Sequence, residues 1–133
     1  MKLSLARTNA ILSYEASADT TGGVGRFVIL TAPDKVALVS GPNVKPFGLL
    51  LTDGKAGERV AVAICAGGLA GTVRVKAQVA VPNAGVDLLI IPNGAVAPDS
   101  GSGARVLVAH ALETASPGEL FEAVLFRPVV LTA

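Results

Sequence analysis

One stretch of the sequence alternates between apolar and polar residues more regularly than any other part of the chain. It runs from Gly71 to Pro82, GTVRVKAQVAVP, and one side of it carries Val73, Val75, Ala77, Val79 and Val81. A period of two residues is typical of a pleated β-strand with one buried face and one solvated face. A helix would spread these valines around its circumference and restrict their side-chain rotamers. The stretch therefore predicts a central strand.

Short β-prone runs follow one another from Arg26 onward, with turn residues between them. The runs are 26–30, 35–40, 47–52, 58–65, the alternating stretch, 86–91, 105–113 and 118–130. Pairs such as Asp53-Gly54 and Asn93-Gly94 supply the positive φ angles that tight hairpins need. Because the runs recur without helical periodicity, we predict an all-β fold. Its form would be a small β-barrel or sandwich of short antiparallel strands with an extended N-terminal arm.

Two further runs have an apolar face that is expected to pack against the alternating stretch. The first carries Val60, Val62 and Ile64, and the second carries Val106, Val108, His110 and Leu112. Fully burying one aliphatic side chain stabilises a fold by roughly 1.5–3 kcal/mol. A charge at Val62 or Val75 is therefore expected to prevent folding of a marginally stable domain.

The first 25 residues differ in composition from the rest, because they mix polar and small residues and end in a flexible stretch, ASADTTGG. We predict an N-terminal arm of residues 1–25 and a β-barrel domain of residues 26–133. An extended arm can add a strand to the open sheet edge of a neighbour. A first barrel strand followed by a loop and a disordered terminus are the alternatives. The arm has enough apolar surface to dock onto a partner, through Leu3, Leu5, Ile11, Leu12 and Tyr14.

The composition limits the classes of partner. The length of 133 residues fits one domain. Apolar residues make up 51% of the chain and charged residues 16%. Part of the apolar surface is therefore expected to be buried between subunits. The alternative is a small β-barrel rich in Ala and Val, which would have a similar composition. The net charge of +1 comes without a basic stripe interleaved with aromatics, so no nucleic-acid partner is expected.

No membrane segment is predicted. The longest apolar stretch, Val60–Gly71, is shorter than a bilayer span and is bracketed by Arg59 and Arg74. Polar residues interrupt any signal-like core at the N-terminus, so we expect an uncleaved product made in the cytoplasm.

The sequence holds few residues with the pattern of a catalytic site. Cys65 lies in an apolar run and is expected to be a small buried hydrophobe, and His110 is expected to be buried or at an interface. The glycines of TGGVGRF precede a strand, whereas phosphate-binding glycines follow one and open a helix. Four aspartates lie beside turn residues, where carboxylates cap backbone amides: Asp34, Asp53, Asp87 and Asp99. We therefore predict no enzyme, cofactor, metal or small-molecule substrate.

The main alternative is a freestanding small β-barrel that acts as a carrier or ligand-binding module. Carrier domains of the biotinyl or lipoyl type are small β-rich modules with a similar sequence of valines, glycines and turns. Such carriers present a modified lysine at an exposed hairpin tip. Lys76 lies in the middle of a predicted strand, and Lys55 is near a turn but has the wrong neighbours.

The order of the motifs resembles the head decoration, or capsid cement, proteins of tailed bacteriophages. The resemblance covers Pro46 to Leu125, about two-thirds of the chain, through PFGLLLTDGKAGERVAVAI, GTVRVKAQVAV, PNAGVDLLIIPNGAVAP and VAHALETASPGELFEAVL. The positions that carry it are Gly48, Ala56-Gly57, Ala84-Gly85, Asn93-Gly94, Ala111-Leu112-Glu113 and Gly118-Glu119.

This resemblance implies a structural virion protein. It would be a homotrimer on the outside of an icosahedral head, at three-fold or quasi-three-fold positions, where it bridges major capsid proteins and stabilises the expanded shell. Contacts with the capsid are expected in the arm, at Leu3, Leu5, Ile11, Leu12 and Tyr14, and trimer contacts in the Ala- and Val-rich strands.

Overall fold

The computed structural model describes residues 11–65 and 71–132 of the chain, and these residues form β-strands and no helix. The all-β prediction is therefore confirmed. The part of the chain that is described contains no helix capable of crossing a membrane. The strands are β1 (Ile11–Ala16), β2 (Phe27–Ala32), β3 (Lys35–Leu38), β4 (Gly48–Leu50), β5 (Arg59–Ile64), β6 (Val73–Lys76), β7 (Asp87–Ile90), β8 (Val96–Pro98), β9 (Arg105–Ala111) and β10 (Leu120–Leu131).

The first five strands form a closed barrel in the order β1-β3-β2-β4-β5. The barrel closes where β1 pairs antiparallel with β5, from Ile11 opposite Ala63 to Glu15 opposite Arg59. On its other side β1 runs parallel to β3, so the strands are not all antiparallel as predicted. One buried cluster fills the interior, and it consists of Ala16, Val28, Val36, Leu50, Val60 and Val62.

The remaining strands form a second sheet in the order β6-β10-β9-β7-β8. Its two edge strands approach each other where Ala77 forms a parallel bridge with Val96. The amide of Gln78 donates to the carbonyl of Val96 at 2.9 Å. The second sheet is therefore curled rather than flat.

The alternating stretch lies at an edge of this second sheet, so its prediction as a central strand is wrong. Only Val73–Lys76 is a strand, and it pairs with β10 alone. Alternation holds as far as Val75 and Ala77, which are buried, but Val79 is 46% exposed. The pattern breaks at Gln78 because the chain turns there toward β8.

The barrel and the second sheet share one large core. Side chains on the outer face of the barrel, among them Phe27, Leu49 and Ala63, pack with buried residues of the second sheet such as Leu88 and Phe121. Backbone hydrogen bonds also link the two halves: the amide of Lys76 donates to Gly25, and the amide of Phe27 donates to Gly94, both at 2.8 Å.

The described part of the predicted arm, residues 11–25, packs as part of the barrel. Among the three alternatives for this segment, it has the form of a first barrel strand followed by a loop. The loop is anchored by Thr20, which is fully buried and whose Oγ1 donates to the carbonyl of Gly54 at 2.8 Å. Leu3 and Leu5 lie outside the described residues.

Candidate interaction surface

The predicted contact residues of β1 divide between the two faces of the strand. Leu12 and Tyr14 are half-buried and alternate with the outward-facing residues, so they share a face with Ala16, which is buried in the barrel. Ile11 is on the opposite face and is 40% exposed. Of the three described residues, Ile11 is therefore the exposed one, and Tyr14 packs against the interior of the barrel.

Tyr14 and Phe47 meet at one end of the barrel interior. Their rings are 5.3 Å apart between centroids and cross at 88°, the edge-to-face geometry that aromatic pairs favour. Gly48 lets β4 approach β5 closely here, because a Cβ at Gly48 would lie 2.6 Å from the carbonyl oxygen of Ala63. The close approach positions the neighbouring Phe47.

An apolar groove lies between this end of the barrel and the second half of β10. Its volume is about 210 Å³, and it is lined by Lys45, Pro46, Phe47, Ile64, Cys65, Arg127 and Pro128. Pro46 and Cys65 are buried, whereas Phe47, Ile64 and Pro128 are half-buried. We call these seven residues the groove. It combines side chains from both halves of the molecule.

The end of β10 extends the apolar surface beyond the groove. Val129 and Val130 follow Pro128 and are both exposed, Val130 to 55%. The pairing of β10 with β9 shifts register between Leu125 and Val129. Proline lacks an amide donor and is tolerated in strands at edges and bulges, so Pro128 within the run 118–130 was a sequence signal for this irregular end.

Two cations, Lys45 and Arg127, are exposed at the rim of the groove. Within the described residues, the ion pairs are Lys35 with Glu15, Arg59 with Asp34 and Arg105 with Asp99. The contact of His110 with Asp87 is a fourth only when the imidazole is protonated. Lys45 and Arg127 take part in none of them. The rim is therefore positively charged around an apolar floor.

The predicted character of Cys65 is confirmed, because the side chain is buried in the groove floor. Burial raises the pKa of its thiol to about 12, so the group is neutral at physiological pH. A neutral buried thiol is a poor nucleophile and here contributes apolar surface.

His110 is not buried within the chain, so of the two predicted positions the one at an interface stays a prediction. Its side chain is 44% exposed, and its Nδ1 lies 3.0 Å from Oδ1 of Asp87 on β7. The pairing of β7 with β9 shifts register between Leu88 and Leu89, which inserts an extra residue into β9. Beyond this bulge Ala109 and Ala111 are the buried residues, so His110 and Leu112 face outward.

Two of the four turn aspartates cap backbone amides as predicted, whereas the carboxylates of Asp34 and Asp87 contact the side chains of Arg59 and His110. Asp53 accepts the amide of Gly22 at 2.7 Å, and Asp99 accepts the amide of Gly101 at 3.1 Å. The bond from Gly101 and the neighbouring Arg105 guanidinium lower the pKa of Asp99. Within residues 11–65 and 71–132, no cluster of His, Cys, Asp and Glu has the arrangement of a metal site.

Of the two lysines considered for a carrier domain, only Lys55 lies in a turn. Lys76 is within β6, opposite Leu120 of β10. Lys55 is exposed in the turn before β5, where its amide donates to the carboxylate of Glu58. Nothing in this geometry distinguishes Lys55 from an ordinary turn lysine.

Comparison with known proteins identifies a structural relative but no sequence relative. No family model matches the chain, and no curated protein matches it. Among solved structures, the chain is similar to the N base of the head fiber protein gp8.5 of bacteriophage phi29. The TM-score is 0.64 at 19% sequence identity, and the match covers 92% of this chain and 98% of that chain. The chain therefore has the fold of this phage head fiber base over nearly its whole length.

Proposed function

We propose that the chain is a structural protein of a bacteriophage virion, bound as a homotrimer to the outside of an icosahedral head. There it would bridge major capsid proteins and stabilise the expanded capsid. The observation that carries the proposal is the fold shared with the phi29 head fiber base along almost the full length of both chains. The resemblance to head decoration proteins in the order of the motifs is a second, independent support.

The distribution of apolar surface also supports a role in assembly. Ile11, Val129 and Val130 are exposed near strand ends. Val129 and Val130 directly follow Pro128, which lines the groove. Large exposed apolar patches on small domains commonly mark interaction sites. Three linked copies would make the second and third contacts with the shell effectively intramolecular, which raises avidity without any new contact.

The capsid contacts are proposed at Leu3, Leu5, Ile11, Leu12 and Tyr14. Ile11 is the most exposed of the described three, and Leu12 and Tyr14, which face the barrel interior and are half-buried, would contribute only the part of each side chain that stays exposed. The trimer contacts are proposed in the Ala- and Val-rich strands. The proposed role is mechanical and involves no catalysis. The chain would be made in the host cytoplasm and then bind the capsid surface, with no nucleic acid, membrane or cofactor as partner.

The test combines solution mass with binding to heads. Purified chain is examined by light scattering, then mixed with expanded heads of its own phage that lack it, and the heads are sedimented. We expect a trimer in solution or on the heads, saturable binding at a fixed ratio to the major capsid protein, and heads that resist a higher temperature before they release DNA. A chain that stays monomeric and does not cosediment with heads would overturn the proposal.

A truncation tests the terminal contacts. Because β1 closes the barrel, the deletion must stop before Ile11. Removal of residues 1–10 is expected to weaken binding to heads while the circular dichroism spectrum stays that of the folded protein. Unchanged affinity would place the capsid contacts outside the N-terminal segment.

A further inference from the structure

We infer that the groove receives an apolar side chain flanked by carboxylates, carried by a segment of the shell protein and not by another copy of this chain. The inference rests on the proposed function and names the chemistry of the partner at one site. Its starting point is the combination at the groove of a concave apolar floor and two cations, Lys45 and Arg127, that form no ion pair with a described residue.

The two rim cations determine the charge of the occupant. Covering a charged group at an interface removes its hydration, and this cost is recovered only when a group of opposite charge or a hydrogen-bond acceptor takes the place of water. Lys45 precedes β4 of the barrel and Arg127 lies in β10 of the second sheet, and both line the groove. A ligand that fills the groove therefore contacts both cations. Charge-assisted hydrogen bonds are stronger than neutral ones, so an occupant that brings carboxylates as well as an apolar group fits the two cations best.

Most carboxylates of a second copy already have a partner within their own chain. The sequence has ten Asp and Glu residues. Nine of them already accept a hydrogen bond or form an ion pair within the chain: Glu15, Asp19, Asp34, Asp53, Glu58, Asp87, Asp99, Glu113 and Glu122. Among the described contacts, only the carboxylate of Glu119 has no hydrogen bond or ion pair, although its backbone carbonyl accepts the amide of Ala77. A carboxylate that already accepts a bond keeps further acceptor sites, but its position is fixed by the contact within its own chain, which limits how it can approach Lys45 and Arg127.

The N-terminal segment of the chain also has the wrong charge. Residues 1–10, MKLSLARTNA, contain Lys2 and Arg7 and no acidic residue. Placed in the groove, this segment would bring cations toward Lys45 and Arg127, and like charges in contact are destabilising. A different protein with an acidic contact segment therefore matches the charge of the groove better than a second copy or residues 1–10 of this chain.

The size and composition of the floor define the apolar part of the occupant. A volume of about 210 Å³ has room for one large side chain, and Phe47, Ile64 and Pro128 give it apolar walls. Such a concave apolar site with a few placed polar groups is typical of a specific contact. The best fit is a single aromatic or aliphatic anchor with an acidic neighbour.

Matched charge reversals test the inference. Arg127→Glu reverses a cation of the groove, and Lys55→Glu reverses an exposed cation at a barrel turn with the same change of net charge. We expect Arg127→Glu to weaken binding to heads on the order of tenfold at low salt, with a smaller loss at high salt, and Lys55→Glu to bind as wild type. Thermal unfolding of both variants should match wild type, because both residues are exposed.

Photo-crosslinking identifies the occupant. p-Benzoylphenylalanine is introduced in place of Val129, next to Pro128, the complex with heads is irradiated, and the crosslinked peptides are sequenced by mass spectrometry. A peptide of the shell protein with Asp or Glu beside a large apolar residue supports the inference. Crosslinks to residues 1–10, to a second copy, or to a shell peptide without acidic residues overturn it.

The two proposals fail in different ways. If wild-type chain does not bind heads, the proposed function is wrong and the groove has no shell partner. If wild type binds and Arg127→Glu binds equally well, only the role of the groove is wrong.

Discussion

At the scale of single residues, Asp34 and Arg59 show how side chains tie the barrel strands together. Asp34 has a φ of 65° in the turn between β2 and β3. Its carboxylate accepts hydrogen bonds from both terminal nitrogens of Arg59 on β5, at 2.6 and 3.1 Å. Arg59 also donates to the carbonyl of Ser13 on β1 at 2.8 Å. The hydrogen bond from Arg59 lowers the pKa of Asp34.

This pair predicts a pH dependence of stability. Because the pKa of Asp34 is lower in the folded chain, the ionised pair contributes its full stabilisation above the ordinary aspartate pKa of about 3.9 and loses it as the pH falls through the lowered value. Asp34→Asn keeps a residue that tolerates positive φ. We expect this variant to have a lower melting temperature than wild type at pH 7. The difference should shrink as the pH is lowered below about 4.

The control for this experiment is Glu119→Gln, since the side chain of Glu119 has no hydrogen bond or ion pair with a described residue and its backbone bonds to Ala77 and Ser116 are kept in the variant. Its melting temperature should follow that of wild type across the whole pH range. A difference between wild type and Asp34→Asn that stays constant with pH would contradict the assignment of the effect to the ionised carboxylate.

At the scale of elements, β6 shows that a regular pattern does not specify a place in a sheet. Val75 and Val79 occupy equivalent positions in the alternation, but the strand ends at Lys76 and the chain bends at Gln78. Val75 is fully buried and Val79 is largely exposed. The same substitution at the two positions therefore has different consequences.

We predict that Val75→Asp prevents folding and that Val79→Asp does not. The first variant places an unpaired carboxylate in the core and removes an apolar contact, a cost of several kcal/mol against a total stability of about 5–15 kcal/mol. The second should change the free energy of unfolding by about 0.5 kcal/mol or less. Far-UV circular dichroism and urea titration measure both. Equal effects at the two positions would mean that Val79 is covered in the folded protein.

At the scale of the whole molecule, the shared core predicts that the barrel and the second sheet unfold together. The core joins Phe27, Leu49 and Ala63 of the barrel to Leu88 and Phe121 of the second sheet. Neither half can separate without exposing these side chains. The two sheets are therefore one cooperative unit.

A destabilising substitution in the second sheet should also lower the stability of the barrel. Leu88→Ala is expected to lower the free energy of unfolding by about 2–5 kcal/mol. Tyr14 is the only tyrosine and there is no tryptophan, so intrinsic fluorescence reports on the barrel, while circular dichroism reports on both sheets. We expect the two signals to shift together to the same lower urea midpoint. A fluorescence midpoint that stays at the wild-type value would show that the halves unfold separately.

Much of the fold was predictable from local patterns. The runs 26–30, 35–40 and 58–65 correspond to β2, β3 and β5, because each has the alternation and flanking turn residues of a strand. The segment of β8, Val96–Pro98, was missed because it lies among the turn residues Gly94 and Pro98-Asp99, whereas the equally short β4 lies in the longer apolar run 47–52. The groove was also missed. Its residues come from three separate parts of the chain, and only the proline at position 128 gave a local signal.

By itself, the sequence determined that the chain is all-β, where most of its strands lie, and that Cys65 is an apolar buried residue. Those properties depend on side chains and turns within a few residues of one another. Only the tertiary structure decided that β6 is an edge strand, that β1 closes the barrel, and that Lys45 and Arg127 flank one groove. These outcomes depend on pairing between segments far apart in the chain, and a bulge of one residue, as in β9, reverses which side chains are buried.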